Sequence, residues 1–265
     1  MTDILEGHGP LIDPARAVEA LQAAWKNPEL PEKPFFFSEG AAPLAGGPHD
    51  QLVPDGVQNP YWEVVRWMPS TPPVFGTMPE VQMEPMYFAP ELSMRLALLG
   101  ASRQQLCTQY AWSIPSPGDI TWMVEQLGGR AVVEVGAGTG YWAWQLEQAG
   151  VDVAAYDPLP PGWENRWCSG GPYTTVLVEG AEAAAAHPDR VLLMVWPPHQ
   201  GEHARHALSV YQGDLLLYAG EGWGGANADD GFYELLDEEW VEVSASPAHV
   251  NWWGIRCRLA AYRRQ

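Results

Sequence analysis

The sequence predicts an α/β protein: seven strands in a mostly parallel sheet, the last strand antiparallel, behind a Pro-rich helical N-terminal cover. Three observations carry this expectation. Beyond about residue 118, short apolar runs alternate with helical patterns, the signature of a parallel sheet covered on both faces. The last two runs follow each other with no helix between them, which requires an antiparallel pair. Residues 1–118 hold 17 of the 25 prolines and read as helices joined by irregular chain. At 265 residues the chain is long enough to bury a full core without disulfide or metal staples.

In chain order, Asp13 caps the first helix and Pro14 takes its first position. Val18, Leu21 and Trp25 share one face, and Asn27-Pro28 stops the helix. Residues 28–90 are rich in Pro and Gly with aromatics among them, as in Pro34-Phe35-Phe36-Phe37 and Asn59-Pro60-Tyr61-Trp62. Apolar residues inside a long irregular segment predict a wrapped cover, not a free linker. A second helix begins near Pro90 and Glu91 and runs toward Leu106. Ser116-Pro117-Gly118-Asp119 is a capping box with Pro in the first turn; Ile120, Met123, Val124 and Leu127 follow on one side, and Gly128-Gly129 ends the helix. Strands are expected at about 131–135, 151–156, 175–178, 191–195, 214–218, 240–246 and 255–262. Helices are expected at about 140–149, 180–187, 202–212 and 230–238. The expected division is a cover over 1–110 and an α/β domain over 111–265.

The net charge is −19, and its cause is a shortage of bases: Lys26 and Lys33 are the only lysines. Nucleic-acid binders neutralise phosphates with Lys and Arg, and the longest basic run here is Arg263-Arg264. A nucleic-acid partner is therefore disfavoured and a neutral or cationic small-molecule substrate favoured. Cys107, Cys168 and Cys257 are scattered and odd in number, with no CxxC or zinc spacing. Met1-Thr2-Asp3-Ile4-Leu5-Glu6 has neither a basic flank nor an apolar run, and no stretch approaches the roughly 18 apolar residues of a membrane helix. These features predict a reducing, cytoplasmic setting away from membranes.

The most specific stretch is Val132-Val133-Glu134-Val135-Gly136-Ala137-Gly138-Thr139-Gly140, an apolar strand running into a Gly-rich turn and then a helix. Glycines let the backbone turn tightly and approach a ligand, and the helix N-terminus offers free N–H groups. A dinucleotide fingerprint needs GxGxxG, but the spacing here is GxGxG and its third glycine position is Tyr141. S-adenosylmethionine suits the stretch better. Its carboxylate matches the helix end, and Glu134 is placed to serve its ammonium directly or through water.

On these residues the chain resembles the class I, Rossmann-like S-adenosylmethionine-dependent methyltransferases, over about residues 110–262, and most of all uncharacterised bacterial methyltransferase-like proteins. The resemblance implies S-adenosylmethionine as cofactor, held by Glu134, Gly136, Gly138 and Gly140. It also implies the family's strand order with an antiparallel final hairpin. Asp157, 21 residues beyond Gly136 at the end of Ala154-Ala155-Tyr156, falls where an acid accepts the ribose hydroxyls. Tyr110 and Ser113 lie in the segment that usually covers the cofactor and are candidates to contact it.

The acceptor side is less defined. Trp196-Pro197-Pro198-His199 follows the fourth strand where amino-methyltransferases of DNA and protein glutamine carry Asp, Asn or Ser, two prolines and an aromatic. Trp196 cannot accept a hydrogen bond through its indole, so it is a wall of the substrate site, while His199 can stack or act as base. Glu221, among four glycines, is the other candidate base, and Trp223 the other substrate contact. His199, His203 and His206 share a helical spacing, but a loop position for His199 leaves the others on a solvated face, so no metal is expected. Trp142, Trp144, Trp163, Trp167, Trp196 and Trp223 gather by sequence near the ligand edge, where an aromatic box would attract a cation. The function expected is methyl transfer to an O or N atom of a small molecule. The alternatives are a scaffold that keeps the fold, and a non-methylating enzyme of the same cofactor such as a cyclase.

Overall fold

A computed structural model describes residues 11–26, 42–47, 50–70, 103–161, 165–252 and 255–265. The sheet has seven strands: β3 (Val132–Val135), β4 (Val153–Asp157), β5 (Val176–Val178), β6 (Val191–Val195), β7 (Leu215–Gly220), β8 (Trp240–Ala245) and β9 (Arg258–Arg264). Their spatial order is β5-β4-β3-β6-β7-β9-β8. Only β9 runs against the rest, inserted antiparallel between β7 and β8. This is the Rossmann-like arrangement, and its order reverses between β3 and β6, which pair in parallel at Val133↔Leu192. A two-stranded ribbon, β1 (Ala42–Pro43) with β2 (Pro69–Ser70), lies outside this sheet.

The strands sort their side chains with period two onto two cores. Val133, Leu192, Met194, Leu216 and Tyr218 face α6 (Ala183–Ala186), α7 (His203–Val210) and α8 (Asp230–Glu239). Val132, Leu193, Leu217 and Leu259 face α4 (Pro117–Leu127) and α5 (Tyr141–Gln148). All six residues of β7 are buried, as a central strand requires, whereas Leu177 and Val178 of the edge strand β5 are exposed. The capping box on α4 forms: Ser116 Oγ accepts from the Asp119 N–H at 3.1 Å, and Asp119 Oδ2 accepts from the Ser116 N–H at 3.3 Å. Gly128 ends the helix with φ of +58°.

The front of the chain departs more from expectation. α1 (Pro14–Lys26) forms, with Asp13 Oδ1 accepting from the Ala15 N–H at 3.0 Å. Of the second expected helix, only α3 (Arg103–Gln109) falls within the described residues. The stretch read as irregular holds a short helix, α2 (Pro60–Val65), capped by Asn59, whose Oδ1 accepts from the Trp62 N–H at 3.0 Å. Tyr61, Trp62 and Val64 of α2 are fully buried, in one cluster with Leu21, Leu106, Tyr110 and Tyr141. Trp62→Ala is expected to lower stability by about 3–5 kcal/mol, the usual cost of deleting a buried indole; urea denaturation reads this directly. Among the described residues no helix is long and apolar enough to cross a membrane.

Candidate active site

After Val135 the chain turns through Gly136, Ala137, Gly138 and Thr139 into α5. Gly136, Gly138 and Gly140 have φ of +77°, +55° and +73°, the left-handed region that glycine alone enters freely. At Gly140 space adds a second reason, because a Cβ would stand 2.8 Å from Val176 Cγ2 and 3.1 Å from Thr174 Cγ2. The neighbouring strand pins the turn: the Gly136 and Ala137 N–H groups both donate to the Tyr156 carbonyl at 2.9 Å.

Asp157 completes the clasp. Its Oδ2 accepts from the Gly138 N–H and its Oδ1 from the Leu159 N–H, both at 2.8 Å. The carboxylate is 7 % exposed, and burial raises its pKa against those two donors. Each carboxylate oxygen has capacity for another donor, so the same group that shapes the loop can also accept a hydroxyl. Glu134 lies beneath the loop, 2 % exposed, with Oε2 accepting from the Ala143 N–H at 3.1 Å. Burial pushes its pKa up to about 8; the Ala143 N–H opposes this, and the negative charges of Asp157 and Glu147 add to it.

The two candidates in the preceding segment reach the glycine turn and α5 through their backbone carbonyls, with their side chains engaged by protein groups. The Tyr110 ring belongs to an aromatic stack, 5.1 Å from the Tyr61 ring and 5.8 Å from that of Tyr173. Its backbone carbonyl, not its side chain, reaches the glycine turn, by accepting from Thr139 Oγ1. The reason is apolar burial: Tyr110 is 2 % exposed, and burial pushes its pKa up to about 12. Ser113 Oγ is committed to Cys257 Sγ at 3.4 Å and His249 Nε2 at 3.5 Å, while its carbonyl accepts from Trp142 Nε1 at 3.2 Å.

At the ends of β6 and β7 the backbone is strained. Trp196 and Ala228, with φ of +49° and +54°, are the only non-glycine residues in the left-handed region among those described. They belong to one clasp: the Trp196 N–H donates to the Ala219 carbonyl at 2.7 Å, and the Ala228 N–H to the Pro197 carbonyl at 2.9 Å. Strain of this kind concentrates at functional sites. His199 is exposed, and its Nδ1 lies 2.7 Å from the Ala228 carbonyl. A carbonyl only accepts, so Nδ1 carries the proton and Nε2 is left as the acceptor.

Glu221 is tied down. Its Oε2 accepts from the Ala226 N–H and its Oε1 from the Arg256 N–H, both at 2.8 Å. This staples the β7 loop to the segment before β9, and each carboxylate oxygen keeps capacity for a further donor or a proton. Trp223 is 53 % exposed, donates to Asp237 Oδ2 at 2.9 Å and leans on Tyr233 at 5.3 Å. Its indole is thus held on α8. Among the described residues the tryptophans form no single box. Trp167 packs on Trp112 at 5.5 Å and Trp144 on Tyr173 at 5.5 Å, and Trp163 lies outside the described residues. His206 pairs with Glu182 at 3.0 Å, and no group of three or more His, Cys, Asp or Glu side chains among the described residues is arranged to hold a metal.

One buried cluster had no sequence signal. Asp119, His249, Cys257 and Ser113 meet between α4 and the β8–β9 connection, although Asp119 and His249 are 130 residues apart. Asp119 reads locally as a helix cap, and that explanation hides its second partner.

No family model matches the chain. A ribosomal RNA large subunit methyltransferase M from Marinobacter nauticus is 39 % identical over 67 residues, which are 25 % of this chain and 18 % of that protein. The chain thus matches less than a fifth of that relative's length. Among solved structures, a Burkholderia thailandensis 1,6-didemethyltoxoflavin-N1-methyltransferase aligns at 20 % identity and a TM-score of 0.37, covering 56 % of this chain and 77 % of that one. A magnesium protoporphyrin IX methyltransferase from Synechocystis aligns at 14 % identity and a TM-score of 0.37, covering 55 % and 76 %. The N-methyltransferase NodS of Bradyrhizobium japonicum aligns at 15 % identity and a TM-score of 0.36, covering 55 % and 93 %.

Proposed function

We propose that the chain binds S-adenosylmethionine at the carboxyl edge of its sheet and transfers the methyl group to an O or N atom of a small molecule. One observation carries this reading: a glycine turn at the point where strand order reverses, with a buried acid beneath it and a second acid clasping it from the next strand. Ligands of open α/β sheets lodge at such points. The cofactor's carboxylate suits the free N–H groups that open α5, its ammonium suits Glu134, and its ribose hydroxyls suit Asp157. Residues 111–265 form the cofactor-binding domain in this reading, with 1–110 as its cover.

Methyl transfer is an in-line displacement. The acceptor's lone pair forms a bond to the methyl carbon as the carbon–sulfur bond breaks, and S-adenosylhomocysteine leaves. Holding donor and acceptor in line at about 3–3.5 Å supplies much of the acceleration. The acceptor side falls to Trp196, with His199, through Nε2, and Glu221 as the candidate bases. The net charge of −19 supports a neutral or cationic small substrate over RNA, and a cytoplasmic setting fits the three unpaired cysteines.

Asp157→Ala is expected to weaken S-adenosylmethionine binding by about 1–3 kcal/mol, through the lost ribose contact and the loosened Gly138 turn. Calorimetric titration of the folded variant checks this, and unchanged affinity removes the ribose assignment. Product analysis after incubation with extracts of small metabolites tests the reaction class. S-adenosylhomocysteine is expected; methylthioadenosine instead would mark a cyclase-type enzyme, and neither product with intact binding would mark a scaffold.

A further inference from the structure

Four buried side chains that methyl transfer does not use meet just beyond the carboxyl edge. Asp119 Oδ2 stands 2.9 Å from His249 Nδ1, His249 Nε2 stands 3.3 Å from Cys257 Sγ, and Ser113 Oγ stands 3.4 Å from the same sulfur. Asp119 is itself fixed, with Ser246 Oγ donating to its Oδ1 at 2.6 Å and the Ser116 N–H to its Oδ2 at 3.3 Å. A thiol within reach of an imidazole, and an imidazole oriented by a carboxylate, is the arrangement of an activated nucleophile. Burial alone would lower the His249 pKa. The Asp119 carboxylate outweighs that, and with Cys257 adding, the ring is held up to about 10. Both ring nitrogens then carry protons at neutral pH, and the His249 Nε2–H is directed at the Cys257 sulfur.

A comparison within the chain sharpens the point. Cys107 is equally buried, but its partners are the Tyr61 hydroxyl and the Trp112 carbonyl, both at 3.9 Å, with Arg103 and Trp252, and none of these is an imidazole. Burial raises the Cys107 pKa, as for an inert structural thiol. The place of Cys257 also matters. It precedes β9 by one residue and belongs to the core that Trp196 and Ala219 join at the ends of β6 and β7. Ser113 is tied to the first turn of α5 through Trp142. The cluster therefore adjoins the point where the strand order reverses, the part of such a sheet that ligands approach.

The geometry points to a second reactive centre, in which Cys257 is a nucleophile backed by His249 and Asp119 and takes the small acyl group of an activated ester. This goes beyond methyl transfer and does not depend on it. The sulfur adds to the acyl carbon and forms a carbon–sulfur bond. The bond from that carbon to the ester oxygen breaks, and the leaving oxygen departs with the electron pair and the His249 Nε2 proton, which the thiol proton of Cys257 replaces on the ring. Water then attacks the thioester, the carbon–sulfur bond breaks with its electron pair going to sulfur, and a proton of that water passes through His249 Nε2 to the sulfur as the carboxylic acid forms. Cys257 and His249 are the reacting groups, and Asp119 is a positioning residue. Cys257 is 4 % exposed, so the acyl donor expected to reach it is a small one.

The test uses the full chain and p-nitrophenyl acetate. Expected are a burst of p-nitrophenolate of one equivalent per chain and an acetyl group on the Cys257 peptide by mass spectrometry. Cys257→Ser, close in size and retaining the melting temperature, loses the burst. Asp119→Asn slows it by about 100-fold or more, by leaving the imidazole misoriented, an effect that a merely structural Asp119 would not have on a variant that remains folded. Acetylation at Cys107, Cys168 or a lysine instead of Cys257, or no burst above that of Cys257→Ser, overturns the proposal.

Discussion

Gly140→Ala lowers stability by about 2–4 kcal/mol and abolishes cofactor binding. Two costs add. An alanine at φ of +73° bears strain of roughly 1–2 kcal/mol, and its Cβ at 2.8 Å from Val176 Cγ2 overfills a packed contact by roughly 1–3 kcal/mol. The Val176 side chain relieves part of that by moving, which keeps the total below the sum of the upper bounds. The turn before α5 then shifts, and the N–H groups it aims at the ligand shift with it. Urea denaturation reads the first effect and S-adenosylmethionine titration the second. A variant as stable as the parent and binding normally would show that the turn tolerates a side chain and is not the seat.

Glu134→Gln separates the two demands on a buried acid. In the free protein its pKa is raised to about 8 by burial. A group raised from an unfolded value near 4.5 contributes fully to stability below that value, and the contribution is lost as pH rises through about 8. The parent therefore loses on the order of 3–5 kcal/mol between pH 4.5 and 9 from this group, and the Gln variant keeps that amount. Cofactor binding moves the other way. If, as proposed, the ammonium pairs with the ionised carboxylate, binding at pH 6 to 7 expels a proton from Glu134, and the binding enthalpy varies with the ionisation enthalpy of the buffer. In the Gln variant this proton release vanishes and affinity falls by about 1.5–3 kcal/mol, the worth of a hydrogen bond to a charged group. Binding without proton release in the parent would remove Glu134 from the ammonium.

Much of this site was legible because its signals are local. The β3 run, the GxGxG turn and Asp157 lie within one strand–helix–strand unit, and the α4 capping box spans four residues. The antiparallel β9 followed from the missing helix between the last two strands, although it begins at Arg258, three residues later than expected. The α2 helix was missed because six residues, under two helical turns, are too short for periodicity to register, even though Asn59 and Pro60 are its cap and first residue. Side-chain roles were harder still. Glu221 and Trp223 looked free in a glycine-rich loop, but their partners, Arg256 and Asp237, come from elements that a one-dimensional reading does not bring near. The Tyr110 ring was drawn into an aromatic core by Tyr61, which lies 49 residues away on the overlooked helix. The Asp119–His249–Cys257 line was invisible for the same reason, since tertiary structure alone joins its parts.

The most direct test of the central reading is a calorimetric titration of S-adenosylmethionine into the intact chain, with NAD as control. Saturable micromolar binding of S-adenosylmethionine with no heat from NAD is the predicted result. No binding of S-adenosylmethionine, or an equal response to NAD, would contradict it and leave the glycine turn as a packing element of a protein with another task.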